Sequence, residues 1–109
     1  MAGSPSDRLI RRLWAFRRKI AERYEIRRMI LFGSRARGRA RRDSDVDLLL
    51  VSPKFRRENA VDRASPLYLE WDLPYAVDFL CYTPEEFRQL SRRVTLVREA
   101  IREGVVIPP

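Results

Sequence analysis

Two short apolar runs constrain the fold of this chain more than any other feature. Residues 26–32 and 45–51 each finish in four consecutive apolar residues, and turn-forming residues follow at Gly33 and at Ser52-Pro53. Short apolar runs that stop at glycine or proline are typical of buried strands. Residues 75–81 have the same character. The chain is therefore expected to contain a small sheet of at least three strands.

Stretches with helical periodicity separate and flank these strands. A helix over about 7–24, capped by Ser6 or Asp7, is predicted from apolar spacings of three and four. A second, short helix is predicted from Ser65-Pro66 to Trp71. A third begins at the capping box Thr83-Pro84-Glu85-Glu86 and has Phe87 and Leu90 inward. A last helix has Val94, Val97 and Ile101 inward and stops at Gly104. Alternating strands and helices predict a small α/β (α+β) fold, as a single domain over 1–109 with a catalytic core at about 26–103.

The residue types that are absent exclude several functional classes. The 109 residues include no histidine and one cysteine, Cys81, which excludes an internal disulfide, a Cys/His zinc site and a histidine general base. No apolar run approaches the ~20 residues that cross a bilayer, and residues 1–6 lack the pattern of a signal peptide. We expect a soluble, cytoplasmic protein without a membrane partner.

Positive charge is concentrated in the first part of the chain. The net charge is +8, but residues 1–42 contain 14 basic and three acidic side chains, whereas residues 43–109 have a net charge of −3. This asymmetry predicts an anionic partner, either nucleic acid or an acidic protein; solvated helix faces remain the alternative. A protein is favoured, because Arg11, Arg12 and Arg18 lie on a helix with a core-facing stripe, and the aromatic residues between them, Trp14 and Phe16, belong to the apolar periodicity and not to a stacking surface.

Gly33 and Ser34 follow the first strand directly and suit a phosphate group. Glycine lets the chain turn and approach an anion closely, and Ser34 adds a hydroxyl and an amide at a possible helix start. Arg35 and Arg37 would then contact the phosphates of a nucleotide, or equally lie in solvent as surface charges. The phosphate prediction depends on the turn rather than on these arginines.

Three aspartates are candidate metal ligands. Asp45 and Asp47 are two residues apart on a predicted strand, so their side chains project from one face. Asp78 lies in the third apolar strand and would join them if the two strands are adjacent; a water-facing position at a strand end is the alternative. Clustered carboxylates repel unless a cation lies between them, and hard oxygen ligands favour Mg²⁺ or Mn²⁺.

A competing motif overlaps the phosphate turn. Residues 33–40 read G-x-x-x-x-G-R-A, which is close to the P-loop pattern. Arg39 replaces the phosphate-binding lysine, and Ala40 has no hydroxyl for Mg²⁺. A P-loop enzyme is therefore disfavoured.

Taken together, these motifs resemble those of a known family. Phe32-Gly33-Ser34, ten further residues, Asp45-Val46-Asp47 and then Val77-Asp78-Phe79 are similar to the signature of the polymerase-β-like nucleotidyltransferases, specifically their minimal prokaryotic members, over about residues 8–103. The resemblance implies a mixed sheet flanked by helices. It also implies that Gly33 and Ser34 hold the triphosphate, that Asp45 and Asp47 bridge two metal ions, and that Asp78 completes the catalytic metal site.

The resemblance further implies an activity and a partner. Minimal nucleotidyltransferases use Mg²⁺ and a nucleoside triphosphate, here expected to be ATP, and many pair with a HEPN-domain toxin whose tyrosine they modify with AMP, acting as its antitoxin. The alternative is a binding module that masks a partner or binds nucleic acid through its basic half. Three intact carboxylates favour the enzyme. An exposed sheet edge could also support a homodimer.

Overall fold

A four-stranded mixed sheet with helices on both faces forms the fold. The computed structural model describes residues 4–38, 44–93 and 95–109. The strands are β1 (Arg28–Phe32), β2 (Val46–Val51), β3 (Val77–Tyr82) and β4 (Val105–Val106), in the order β3-β2-β1-β4. β2 runs parallel to β3 and antiparallel to β1, and β4 pairs antiparallel with β1. The expected fold class is confirmed, and the three predicted strands differ from the observed ones by one or two residues at their ends.

Helices cover both faces of this sheet. They are α1 (Asp7–Ile20), α2 (Ala60–Glu70), α3 (Pro84–Arg93) and α4 (Thr95–Glu103), with a 3₁₀ helix at Pro53–Arg57. α1 and α2 pack on one face, and α3 and α4 on the other. Strands covered on both sides need apolar residues at successive positions, which explains the continuous apolar runs in β1 and β2. Within the described ranges, no helix has the length and apolarity needed to cross a membrane.

The first helix has the predicted core stripe but ends earlier than expected. Leu9, Leu13, Phe16 and Ile20 are all buried, as the spacing predicts. The helix ends at Ile20, and the chain turns through residues 21–24 before it enters β1. Tyr24 lies beyond the helix but still packs inward, with its ring centroid 5.5 Å from that of Phe55. It therefore continues the apolar spacing of the helix in the sequence.

The prediction that Ser65-Pro66 starts a helix was wrong. α2 begins at Ala60 after the N-cap Asn59, whose side chain accepts a hydrogen bond from the Asp62 amide at 2.9 Å, and Pro66 lies inside the helix. An interior proline costs about 3 kcal/mol. Burial of Arg63 and Leu67 on either side of it offsets that cost, a tertiary effect that local propensity does not contain.

The capping box is confirmed, but the inward face of the last helix was partly mispredicted. The Thr83 amide donates to Glu86 Oε1 at 2.8 Å, and the Glu86 amide donates to Thr83 Oγ1 at 3.2 Å. In α4, Val97 and Ala100 are buried while Ile101 is 44% exposed. The helix is rotated this way because Ala100 and Gly104 lie against β1, where a Cβ on Gly104 would collide with a side-chain carbon of Ile30. Val94 lies outside the described residues.

Arg63 connects α2 to the third strand and the third helix. Its guanidinium donates to the carbonyl of Glu58 at 2.9 Å, to that of Cys81 at 3.2 Å and to Glu86 Oε1 at 2.7 Å. The residue is 8% exposed. Each of its partners belongs to a different segment, so one side chain fixes where β3 lies relative to its covering helices.

We expect Arg63→Met to lower the free energy of unfolding by about 2–3 kcal/mol. The change removes the side-chain donor to the Cys81 carbonyl and leaves the Glu86 carboxylate with the Thr83 amide as its remaining donor. The value lies below that of a fully buried ion pair because the Glu86 side chain is partly exposed. Urea denaturation at neutral pH measures it. Arg57→Met, at an exposed position of the 3₁₀ helix, is the matched control and should stay within about 0.5 kcal/mol. Equal losses in the two variants would contradict the connecting role.

Candidate active site

Asp47 and Asp78 lie side by side at one end of the sheet. The parallel register of β2 and β3 pairs these two residues directly, and neighbouring strands are about 4.8 Å apart. Both side chains belong to the face that α3 and α4 cover, since the alternating positions Leu48 and Phe79 are buried in the opposite core. The predicted adjacency of the two aspartate-bearing strands is confirmed.

Asp45 is near this pair but does not complete a ligand cluster with it. It precedes the first residue of β2 and is exposed. Burial raises the pKa of Asp47, and the negative charges of Asp78 and then Asp45 raise it further. Among the described residues, no three carboxylate, thiol or imidazole groups are close enough to share an ion as they stand. The structure therefore brings two of the three predicted ligands together, with Asp45 within electrostatic range.

These carboxylates have the chemistry that a hard divalent cation requires. Two carboxylates on adjacent strands repel each other; burial is the larger cause of the raised pKa of Asp47, and the charge of Asp78 raises that pKa further. Mg²⁺ and Mn²⁺ prefer such ligands and retain several waters, so they do not need a complete protein shell. The residues present fit a cation of this class.

Gly33 closes the other side of the site. Its φ is +78°, and a Cβ at this position would collide with Asp47 Oδ2, so only glycine permits this turn beside the carboxylate. The amides of Ala36 and Arg37 donate to the Gly33 carbonyl at 3.2 and 3.3 Å. Residues 34–38, including Ser34, form a turn rather than the expected helix start. The rest of the predicted basic segment, with Arg39 and Ala40 of the near-P-loop pattern, lies outside the described residues.

A cavity of about 540 Å³ opens beside the aspartate pair. Of the predicted site residues, Gly33, Arg37, Asp47 and Asp78 line it, whereas Ser34, Arg35 and Asp45 do not. Its far wall is α4, which presents Leu96, Glu99 and Glu103. The cavity therefore has carboxylates on two sides and an apolar surface between them.

Sequence reasoning missed the contribution of α4 to this cavity. Leu96, Glu99 and Glu103 are spaced by three and four residues and share one helix face. The sequence contains this spacing, but the prediction for this helix used only its apolar face and gave no role to its polar face. Arg37 forms an ion pair with Glu103 at 3.6 Å, which joins the glycine turn to this wall.

Arg35 joins the glycine turn to both aspartate-bearing strands. Its Nε and Nη2 atoms donate to the Ser44 carbonyl at 2.9 and 2.7 Å, immediately before Asp45. Its guanidinium carbon also lies 4.6 Å from the ring centroid of Tyr75, two residues before β3. Contact between Arg35 and a triphosphate stays a prediction. The observed contacts give this residue a role in positioning the site.

The single cysteine takes no part in this chemistry. Cys81 is buried on the α1 and α2 face of β3, and burial raises the pKa of its thiol to about 12. A thiol with such a pKa stays protonated at neutral pH and is a poor nucleophile.

Comparison with known proteins agrees with this fold and site. Over 91% of the chain, the fold superposes on 78% of a Sulfolobus solfataricus protein whose crystal structure is described as that of a nucleotidyltransferase, with a TM-score of 0.64 and 22% identity. Residues 13–106 match the family model for the nucleotidyltransferase domain. The chain is also 41% identical over 79 residues to the Haemophilus influenzae protein named Probable protein adenylyltransferase MntA, an alignment that covers 71% of this chain and 69% of that protein.

The chain therefore belongs to the nucleotidyltransferase domain family and is an enzyme of the minimal nucleotidyltransferase kind. This conclusion confirms the resemblance found in the Gly-Ser and Asp-x-Asp motifs. The match to this family does not support a P-loop enzyme.

We expect Asp47→Asn to raise the free energy of unfolding by about 0.5–2 kcal/mol in the absence of divalent cations, the usual size of a stabilising substitution. The change removes a half-buried charge that faces two other carboxylates. Urea denaturation in the presence of a chelator measures the effect. Glu22→Gln, which removes one exposed negative charge from the turn after α1, should change stability by less than about 0.5 kcal/mol. A destabilised Asp47→Asn protein would show that the carboxylates do not repel.

We expect Arg35→Lys to lower the free energy of unfolding by about 1–2 kcal/mol without any ligand. Lysine keeps the charge but loses the paired donors and the planar group over Tyr75. The control is Arg37→Lys, because the exposed ion pair of Arg37 with Glu103 contributes about 0.5 kcal/mol or less. If Arg35→Lys had normal stability but weaker binding of Mg²⁺-ATP, Arg35 would be a phosphate ligand and not a positioning residue.

Proposed function

We propose that this protein transfers AMP from ATP to a hydroxyl group of a partner protein, in a reaction that depends on a divalent metal. The observation that carries the proposal is the register pairing of Asp47 with Asp78 beside the Gly33 turn. The similarity to a protein named as a protein adenylyltransferase supports the choice of AMP and of a protein acceptor.

Asp47 and Asp78 would hold the metal, with Asp45 as a further ligand at the start of β2. Bound Mg²⁺ or Mn²⁺, in two sites, would neutralise the charge of the phosphates and of the attacking and departing oxygens. The chain's own contribution is the rigid placement of these carboxylates. The β2 and β3 ladder fixes Asp47 and Asp78 relative to each other, and the contact of Arg35 with Ser44 fixes the approach to Asp45.

The glycine turn would hold the triphosphate of the nucleotide. The backbone at Gly33 lets phosphate oxygens come close to the turn, where the Ser34 hydroxyl and amide would donate to them. Arg37 lies in the cavity wall and would add a positive charge, in competition with its ion pair to Glu103. In-line attack by the acceptor oxygen on the α-phosphorus forms the new O–P bond, and pyrophosphate leaves.

The chain has no histidine to receive the acceptor's proton, which makes a carboxylate of the cavity the candidate for this role. Asp78 is the best candidate, since it lines the cavity and is exposed. The cavity of about 540 Å³ is open enough to admit a side chain from another protein. A tyrosine hydroxyl of a HEPN-domain toxin fits this requirement, and its modification would make this protein the antitoxin of the pair.

The decisive experiment incubates the protein with Mg²⁺-ATP and a HEPN-domain protein, which we expect to be encoded by the neighbouring gene, and follows that partner by intact-mass spectrometry. We expect the partner to gain the mass of one AMP. Asp45→Asn and Asp47→Asn should each slow this transfer by at least about 10³-fold, because several kcal/mol of transition-state stabilisation depend on the metal. Asp62→Asn, at an exposed position on α2, is the matched control and should retain the wild-type rate.

Full transfer by both site variants would contradict the metal assignment. A stable complex with the partner, without any transfer by the wild-type protein, would instead favour a binding module. Chelation of divalent ions should abolish transfer, and added Mn²⁺ should restore it.

A further inference from the structure

A second recessed surface lies at the end of the sheet remote from the aspartates. Two adjoining depressions of about 660 and 600 Å³ share Arg27, Pro53 and Arg56 in their walls, and together we call them the basic groove. They lie where β1 begins and β2 ends, beside the paired residues Arg28 and Val51. Val51 is four residues along β2 from Asp47, or about 13 Å. The basic groove is thus separate from the active-site cavity.

The groove has a strong excess of positive charge. Its basic residues are Arg23, Arg27, Arg28, Lys54, Arg56, Arg57 and Arg88, and its acidic residues are Glu25, Glu58 and Glu85. Arg27 pairs with Glu25, and Arg56 pairs with Glu85. Within the described part of the chain, Arg28 and Arg88 form no ion pair. At least two guanidinium groups therefore face the groove without an internal anion.

Apolar side chains form part of the lining of the larger depression. They are Val51, Pro53, Pro84, Phe87 and Ile101. Phe87 is 9% exposed, whereas Ile101 is the large exposed apolar residue that α4 turns away from the core. The Arg28 guanidinium carbon lies 5.6 Å from the Phe87 ring centroid. The surface therefore combines an apolar centre with a basic rim, the usual arrangement of a protein interface.

We propose that the basic groove binds an acidic, amphipathic segment of a partner protein. The apolar face of such a segment would cover Ile101 and Pro84, and its carboxylates would pair with Arg28 and Arg88. Arginine suits this role because its planar donors match a carboxylate. This surface does not depend on the proposed reaction, since a partner bound here leaves the cavity open.

The composition of the groove favours protein over nucleic acid. A sugar-phosphate backbone gains little from the apolar part of the lining, whereas the apolar face of an amphipathic segment would be buried against it. Single-stranded nucleic acids also need exposed aromatic faces for stacking. The aromatic residues here are already engaged, because Tyr24 packs on Phe55 and Arg28 lies over Phe87.

The test measures binding of defined probes to the purified full chain by fluorescence anisotropy at about 0.15 M salt. The first probe is a labelled helical peptide with leucine at every third or fourth position and glutamate elsewhere. The second has glutamine in place of every glutamate, and the third is a labelled DNA duplex. We expect the glutamate peptide to bind at least about tenfold more tightly than either of the others, equivalent to 1.4 kcal/mol.

The matched variants separate the groove from overall charge. Arg28→Gln with Arg88→Gln should weaken binding of the glutamate peptide by at least about tenfold. Arg8→Gln with Arg11→Gln removes the same charge from exposed positions on α1 and should change affinity less than about twofold. Both double variants should keep the wild-type circular dichroism and melting behaviour.

Four results would overturn the proposal. The first three are equal weakening by the two double variants, equal affinity for the glutamate and glutamine peptides, and absence of glutamate-peptide binding up to millimolar concentration. Tighter binding of the DNA duplex, lost in the groove variant and falling steeply with salt, would assign the groove to nucleic acid instead. Transfer of AMP to a partner, or its failure, bears on the proposed function and not on any of these results.

Discussion

The parallel pairing of β2 with β3 is the interaction on which the rest of the site depends. It places Asp47 directly beside Asp78, an arrangement that electrostatic repulsion opposes. The pairing persists because the alternate residues of the same strands, Leu48 and Phe79 among them, are buried under α1 and α2. Hydrophobic burial on one face of the sheet thus offsets the destabilising repulsion between like charges on the other face. Functional sites commonly lower the stability of a protein in this way.

Several arginines of this basic chain are structural connections rather than surface charges. Arg17 is buried and donates to the carbonyls of Ile26 and Ile107, while Arg35 and Arg63 donate to carbonyls of other segments. A guanidinium can satisfy several backbone oxygens from one position, which suits a small fold with short strands. The high arginine content therefore overstates the positive surface that a partner meets, and counting charges along the sequence could not show this.

Features encoded in consecutive residues were predictable, and features set by packing between distant segments were not. The apolar runs of β1 and β2 and the capping box at Thr83 are local, and the structure has them where the sequence indicates. The placement of Asp47 and Asp78 on one face of the sheet followed from the period of their strands, and their role as metal ligands stays a prediction. The start of α2 and the exposure of Ile101 were mispredicted because each depends on a distant contact, the burial of Arg63 and the approach of Gly104 to β1. The contribution of α4 to the cavity was missed for the same reason, because it depends on which face of the helix meets the sheet.

Opposite charges at the two ends of the sheet suit one small fold to the two purposes proposed above. The cavity end presents Asp47 and Asp78, and the groove end presents Arg28 and Arg88. The ends are about 13 Å apart along β2, which exceeds the Debye length of about 8 Å at physiological ionic strength. Charges at that separation interact weakly through solvent, so the arginines would neither displace a cation proposed to bind the aspartates nor attract a triphosphate away from the glycine turn. An anionic partner at the groove would in turn leave the electrostatics of the carboxylate pair nearly unchanged, which makes docking and chemistry separable properties of this chain.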